Sequence, residues 1–179
     1  MPRLILLLGG ARSGKSSHAQ KLAEASGKAV AYIATAQPLD DEMAARIDAH
    51  KAERPASWKT LEIPFGLATQ LDSLKSEVVI LDCVTLLVSN LLMQYESNEL
   101  IDEAQSRRAV EAEIDSLLTR VRTGTQDWIV ISNEVGLGLV PAYQMGRVYR
   151  DLLGWANQRL AAEADEVYLM VAGLPMKVK

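Results

Sequence analysis

The chain has 179 residues, of which 49% are hydrophobic and 23% charged, and its formal net charge is −4 at neutral pH. That length is enough for one domain with a full apolar core, and the acidic balance excludes a general nucleic-acid surface, which needs a basic excess. Its apolar runs fall well short of the roughly 20 residues of a membrane span, and a single cysteine, Cys83, excludes an internal disulfide and a cysteine-built zinc site.

The first predicted element is a strand over 4–8, the run Leu4-Ile5-Leu6-Leu7-Leu8. It leads directly into Gly9-Gly10-Ala11-Arg12-Ser13-Gly14-Lys15-Ser16, which satisfies GxxxxGK[ST]. In such a loop the glycines let backbone N–H groups turn inward around phosphate oxygens, the lysine reaches the terminal phosphates, and the serine offers a hydroxyl to Mg²⁺. Arg3 ahead of the apolar run resembles the start of a signal peptide. The run is shorter than the ~7 residues such a segment needs and enters the loop at once, so the chain is expected to stay in the cytoplasm. A helix over 16–25 follows and turns its N-terminal dipole toward the phosphates. His18, one turn into it, is expected to pack or to face solvent.

A strand is expected over 29–33 and a helix over 41–54. The stretch DDEMAARIDAHKAERP, over 40–55, puts acids first, bases last and a proline at the stop, the charge order that complements a helix dipole. On a helical period Arg46, His50 and Arg54 share a stripe with Lys51 at its edge. A histidine set among cations that can grip a polyphosphate is a candidate nucleophile; the alternative is a solvated charged face with an incidental histidine.

Further along, a helical stretch is expected around 65–74 and a strand over 78–81 that ends in Asp82. A carboxylate at a strand tip can hold Mg²⁺ opposite Ser16, or it can cap the next helix with Thr85 sharing the task. Cys83 reads as a small packing residue. Helices over 85–95 and 102–123 and a strand over 128–132 come next. The block Asn133-Glu134-Val135-Gly136-Leu137-Gly138 then carries an amide and an acid at a strand tip. A helix over 143–164 presents Arg150, Asp151, Asn157, Gln158 and Arg159, either a site wall or a subunit contact. A strand over 166–171 and a closing segment over 176–179 complete the chain. This alternation predicts an α/β fold with a mostly parallel sheet flanked by helices, in a single domain over 1–179, with ligands at the carboxyl ends of the strands.

Several of these blocks carry a resemblance. The loop over 9–16, Tyr32-Ile33-Ala34-Thr35-Ala36, Asp41-Glu42-Met43 with Arg46-Ile47 and His50, and Arg54-Pro55 belong to it. So do Leu81-Asp82-Cys83-Val84-Thr85, Asn133-Glu134-Val135-Gly136, and Arg150-Asp151 with Gly154 and Asn157-Gln158. Together they resemble the bifunctional adenosylcobinamide kinase/adenosylcobinamide-phosphate guanylyltransferase of cobalamin biosynthesis, almost end to end. Leu87 stands where a larger aromatic is common in that family, and Ala172 where a serine is usual. The resemblance implies a P-loop NTPase of RecA-like type that works as a homotrimer. Its implied substrates are ATP or GTP, adenosylcobinamide and adenosylcobinamide-phosphate, with Mg²⁺ held by Ser16 and Asp82. It implies Lys15 as the catalytic lysine and His50 as the acceptor of GMP. It also implies nucleotide contacts at Gly9, Gly10, Ala11, Arg12, Ser13, Gly14, Lys15 and Ser16, at Thr35, Ala36 and Gln37, at Lys51, Ala52, Glu53 and Arg54, and at Glu62 and Asp82. Two rival readings use the same loop. A monofunctional small-molecule kinase would leave His50 idle. A regulatory GTPase would show DxxG after the metal strand and NKxD after a later one, where this chain has Asp82-Cys83-Val84-Thr85 and Asn133-Glu134-Val135-Gly136.

Overall fold

The computed structural model describes residues 2–52, 54–71, 74–98 and 100–179, without the side chains of Arg46 and Ala68. In chain order the elements are β1 (Leu4–Gly9), α1 (Lys15–Ala25), β2 (Val30–Ala34), α2 (Asp41–Ala52), β3 (Lys59–Glu62), α3 (Leu67–Gln70), β4 (Val78–Asp82) and α4 (Val84–Met93). The short β5 (Glu96–Ser97) and β6 (Leu100–Ile101) follow, then α5 (Glu103–Thr123), β7 (Asp127–Ile131), α6 (Gln144–Glu163), β8 (Glu166–Val171) and β9 (Leu174–Lys177).

The main sheet runs β3-β2-β4-β7-β1-β8-β9. Its pairs are parallel except β8 with β9, and helices cover both faces, so the expected mixed α/β architecture is present. Strands buried on both faces read as continuous apolar runs rather than alternating ones. Leu4 and Leu6 of β1 face the core shared with α3, α4, α5 and α6, whereas Ile5 and Leu7 face Ala19 and Ala23 of α1. The long α5 starts where its sequence says it should. Asp102 accepts a hydrogen bond from Gln105 N at 3.0 Å, and Val110, Ile114, Leu117, Leu118 and Val121 form one buried stripe.

Differences from the sequence reading have local causes. The strand β3 was not expected, because Lys59-Thr60-Leu61-Glu62 is mostly exposed and lies at the sheet edge, where neither an apolar run nor alternation is required. The β5–β6 hairpin is too short to leave a periodic signal. The helix before β4 is a single turn, Leu67–Gln70, whose first amides donate to the Glu113 carboxylate of α5 (Gly66 N at 3.1 Å, Leu67 N at 2.7 Å). The N-cap of α4 is Cys83 and has no side-chain cap, so Asp82 is not spent on capping it. The last strand comes earlier than expected, because Ala172 (φ 50°) and Gly173 (φ 84°) make a tight turn of the kind that joins hairpin strands.

The register levels the carboxyl ends of three strands: Asp82 pairs with Ala34 on one side and with Ile131 on the other. Thr35 fixes the first of these junctions. It is wholly buried; its Oγ1 donates to Cys83 O at 2.8 Å and accepts from Cys83 N at 2.9 Å, and its backbone N–H donates to Asp82 O at 3.0 Å. Replacing the hydroxyl by a methyl leaves the Cys83 N–H unpaired in the interior and Cys83 O with only the bond from Leu87 N at 3.1 Å. Thr35→Val is therefore expected to lower stability by about 1–3 kcal/mol, read from the urea midpoint at an unchanged denaturant slope.

Candidate active site

The loop after β1 is shaped by close approach. Gly9 has φ 152°, and a Cβ there would lie 2.7 Å from Met170 O and 2.7 Å from Ser13 Oγ. Gly14 has φ 94°, and its Cβ would lie 3.0 Å from Gly173 Cα. The turn between β8 and β9 thus presses on the loop and also binds it, Gly173 N donating to Ser13 O at 2.9 Å. Gly10, Ala11 and Arg12 are exposed along the loop, and Arg12 itself has φ 55°. Gly14 caps α1 without a side chain, so the first amides of the helix are open to an anion. The Lys15 ammonium donates to Gly9 O at 3.0 Å, Gly10 O at 2.6 Å and Ser13 Oγ at 3.4 Å. Burial lowers its pKa from the usual lysine value, while the nearby Asp82 carboxylate pulls the other way.

Asp82, at the tip of β4, gathers the next groups. Ser16 Oγ donates to its Oδ2 at 2.8 Å, and Tyr32 OH donates to the same oxygen. Burial, with Asp82 adding to it, holds the Tyr32 phenol far above its ordinary pKa, so this hydroxyl stays a donor. The Cys83 thiol is pushed up to about 11, by burial first and by Asp82 second, which leaves it a packing residue rather than a nucleophile. A cavity of about 290 Å³ opens over this pair, and Ser16, Tyr32, Ala36, His50, Arg54 and Asp82 are among the residues lining it.

Thus His50 of α2 and Arg54 beyond its end reach the same space as the loop serine and the strand-tip acid. The Arg54 guanidinium lies 3.7 Å from the Tyr32 ring centroid, and its Nε and Nη1 are buried without a hydrogen-bond partner, donors aimed at no protein group. Asn133 lines the cavity from the tip of β7, where its N–H donates to Thr85 Oγ1 at 2.8 Å.

Other sequence candidates fall elsewhere. Lys51 pairs with Glu62, and with Ala36 they border a smaller hollow of about 120 Å³ between α2 and the ends of β2 and β3. The Thr35 side chain points into the interior and not into the cavity. Gln37 is half-buried and Ala52 is exposed at the end of α2. Glu53 lies outside the described residues, as does the side chain of Arg46. His18 packs edge-on against Tyr168, with ring centroids 5.9 Å apart, and burial lowers its pKa. Sequence reasoning gave no site role to Tyr32, which joins Asp82 to Arg54. The signal was there: a phenol inside the otherwise aliphatic run Val30-Ala31-Tyr32-Ile33-Ala34 must find a polar partner at the strand end.

The described residues contain no cluster of three or more His, Cys, Asp or Glu side chains able to hold a metal, which excludes a cage made by those groups alone. One hydroxyl and one carboxylate side by side suit a cation that takes its remaining oxygens from phosphate and water, as Mg²⁺ does.

Comparison with known proteins accords with this geometry. The family model described as cobinamide kinase / cobinamide phosphate guanyltransferase matches residues 5–178. The chain belongs to this family. It is 45% identical over 181 residues to the bifunctional adenosylcobalamin biosynthesis protein CobU of Escherichia coli, covering 98% of this chain and 99% of that one. It is 44% identical over 176 residues to the protein CobP of Pseudomonas aeruginosa, covering 97% and 96%. Among solved structures, the fold resembles the flagellar accessory protein FlaH of Methanocaldococcus jannaschii (TM-score 0.54, 15% identity, 99% of this chain and 78% of that one). It also resembles the protein PH0250 of Pyrococcus horikoshii (TM-score 0.56, 10% identity, 99% and 86%). These two likenesses concern the fold alone, a central sheet with flanking helices.

The contrast between two adjacent glycines tests the loop geometry. Gly10 has no atom within 4 Å of a Cβ position, whereas Gly9 is both left-handed and crowded by backbone. Gly9→Ala is expected to cost about 1–3 kcal/mol by overpacking and strain. Gly10→Ala should stay within about 0.5 kcal/mol of the parent. Parallel denaturant titrations measure both, and equal effects would contradict the close approach of Met170.

Proposed function

We propose that the cavity between the phosphate loop and α2 serves both reactions of a bifunctional cobinamide kinase and cobinamide-phosphate guanylyltransferase. The observation that carries this reading is that His50 lines the same cavity as Ser16 and Asp82. Family membership makes the chain a transferase of cobalamin biosynthesis.

In the first step the hydroxyl of the aminopropanol arm of adenosylcobinamide bonds to the γ-phosphorus of ATP or GTP, the bond from that phosphorus to the β,γ-bridging oxygen breaks, and ADP or GDP leaves as the hydroxyl proton passes to solvent. The amides of the loop over 9–16 and the start of α1 cradle the β- and γ-phosphates, and Lys15 exchanges its contacts with Gly9 O and Gly10 O for phosphate oxygens. Ser16 and Asp82 are the residues that would hold Mg²⁺, with the Tyr32 hydroxyl orienting the carboxylate. The cation, when bound, offsets charge on the phosphate oxygens.

In the second step a ring nitrogen of His50 attacks the α-phosphorus of GTP, and pyrophosphate leaves. The terminal phosphate of adenosylcobinamide-phosphate then displaces the histidine, giving adenosylcobinamide-GDP. Two displacements replace one difficult transfer. Arg54, with two unpartnered nitrogens beside His50, supplies positive charge where the α-phosphate would lie. Lys51 and Ala52 at the end of α2, Thr35, Ala36 and Gln37 after β2, and Glu62 at the end of β3 form the guanosine side of this reading, to which Glu53 is assigned by the family resemblance alone. Of these, Thr35 contributes through its fixed backbone.

Three further parts belong to the proposal. The sheet is of RecA-like type, for which β7 standing between the loop strand β1 and the acid strand β4 is the supporting feature. The chain folds as a single domain over 1–179. It works as a homotrimer, in which a neighbour covers apolar side chains such as Leu137, Leu139, Val140 and Tyr143, each more than half exposed here.

Lys15→Ala is expected to lower phosphorylation of adenosylcobinamide at least about a hundredfold, the scale of losing one transition-state charge contact; a near-normal rate would contradict the loop assignment. His50 is tested by label. GTP labelled at the α-phosphorus should leave label on the denatured wild-type protein in an acid-labile, base-stable bond, and γ-label should not remain. His50→Ala should lose the adduct and guanylyl transfer while phosphorylation of cobinamide continues. Retention of the adduct by this variant, or its absence from the wild type, defeats the reading.

A further inference from the structure

Beside the phosphate loop, on the face of the sheet covered by α6, lies a second cavity, of about 530 Å³. Leu8 of β1 forms its floor next to the loop, and Glu134 borders it while donating its backbone N–H to Gly9 O at 3.1 Å. The opposite wall is a stripe of α6 on which Arg150, Gly154 and Asn157 recur at helical spacing, with Gln158 at its edge.

Two features of that stripe have no explanation within the chain. A glycine inside a 20-residue helix is unfavourable compared with alanine, and it persists where a side chain would collide. Gly146, one such glycine, has this reason: its Cβ would stand 2.7 Å from Pro141 Cβ. Gly154 has none, since nothing lies within 4 Å of its Cβ position. Second, Arg150 Nη1 and Asn157 Oδ1 are both buried without a hydrogen-bond partner, although Asn157 is only 5% exposed and its Nδ2 is held by Asn133 O at 3.0 Å. Buried polar atoms are paired in the great majority of cases, so an orphan donor and an orphan acceptor two turns apart on one helix face, lining one cavity, call for a ligand that carries both functions. A primary carboxamide is such a group. Two carboxylates, Glu134 and Asp151, against one guanidinium also make the cavity a poor host for a polyphosphate, which the loop already accommodates.

We infer that this cavity is the acceptor subsite, taking the amide-bearing arms and part of the macrocycle edge of the corrinoid. Gly154 leaves room for that edge, Trp155 and Leu8 supply apolar contact, and Arg150 and Asn157 pair with carboxamide groups of the arms, Arg150 with an oxygen and Asn157 Oδ1 with an N–H. The aminopropanol hydroxyl then projects past Glu134 toward the Gly9 end of the loop. The inference rests on the functional reading above, because it takes the corrinoid as the acceptor.

Equilibrium dialysis with adenosylcobinamide tests it. Gly154→Leu fills the cavity without removing a polar group and replaces a poor helix former, so it is expected to fold at least as well as the parent. It should weaken corrinoid binding at least tenfold, about the factor that loss of a well-packed contact brings, with GTP affinity within about twofold of the parent. Arg150→Gln should weaken the corrinoid in the same way and Arg150→Lys less so, giving a second route that leaves Gly154 in place. If both Gly154→Leu and Arg150→Gln bind adenosylcobinamide like the wild type, the subsite is wrong and the functional reading stands. If the wild type itself binds no adenosylcobinamide, with or without GTP, the functional reading falls and this inference with it. If Gly154→Leu leaves corrinoid affinity intact and instead splits an oligomer in sedimentation, the cavity is a contact between copies and the inference is overturned.

Discussion

The Asp82 carboxylate is the point on which the site depends. One of its oxygens accepts from Ser16 at the start of α1 and from Tyr32 in the middle of β2. The phosphate loop, the acid strand and the neighbouring strand are thereby fixed to one another through a single atom. This works because β2 and β4 end level, with Thr35 closing the junction behind them. Hydroxyl donors to a carboxylate are among the stronger uncharged-to-charged hydrogen bonds, and here two of them meet on one oxygen at the strand tip.

Tyr32 extends the same arrangement toward α2. Its ring carries the Arg54 guanidinium, so the phenol orients the acid with its hydroxyl and the cation with its face. The described side chains of α2 are all exposed or half-buried. Its position over the cavity therefore owes little to packing and more to such polar ties as Arg54 on Tyr32 and Lys51 on Glu62. A site with a rigid phosphate-binding side and a polar-tethered histidine side can treat two different phosphorus atoms of a nucleotide. In the proposed reading the loop amides take the terminal phosphates, and His50, which lines the same cavity as Ser16 and Asp82, takes the α-phosphorus.

What was legible in the sequence follows from what generates a local signal. The central strands and α5 were readable because continuous apolar runs and a capped amphipathic stripe need no tertiary information. The loop over 9–16 stood out because glycines, lysine and serine at that spacing, placed between an apolar strand and a helix, seldom fall together by chance. The edge strand β3 was not, since an exposed strand held only by backbone pairing leaves side chains unconstrained. By spacing alone the stripe of Arg46, His50 and Arg54 read more readily as a solvated charged face than as a nucleophile among cations, and the fold is what puts His50 and Arg54 beside Ser16 and Asp82. Thr35 shows the converse. It stands where a nucleotide contact was expected, yet its hydroxyl is taken up by Cys83, which no reading of the string alone reveals.

The central claim is that one chain performs two successive transfers on one corrinoid. Mass spectrometry of the products formed from adenosylcobinamide and GTP, followed over time, tests it most directly. Adenosylcobinamide-phosphate should appear first and then decline as adenosylcobinamide-GDP and pyrophosphate accumulate. A phosphate product that persists unchanged in excess GTP would contradict the account and leave the chain a kinase alone.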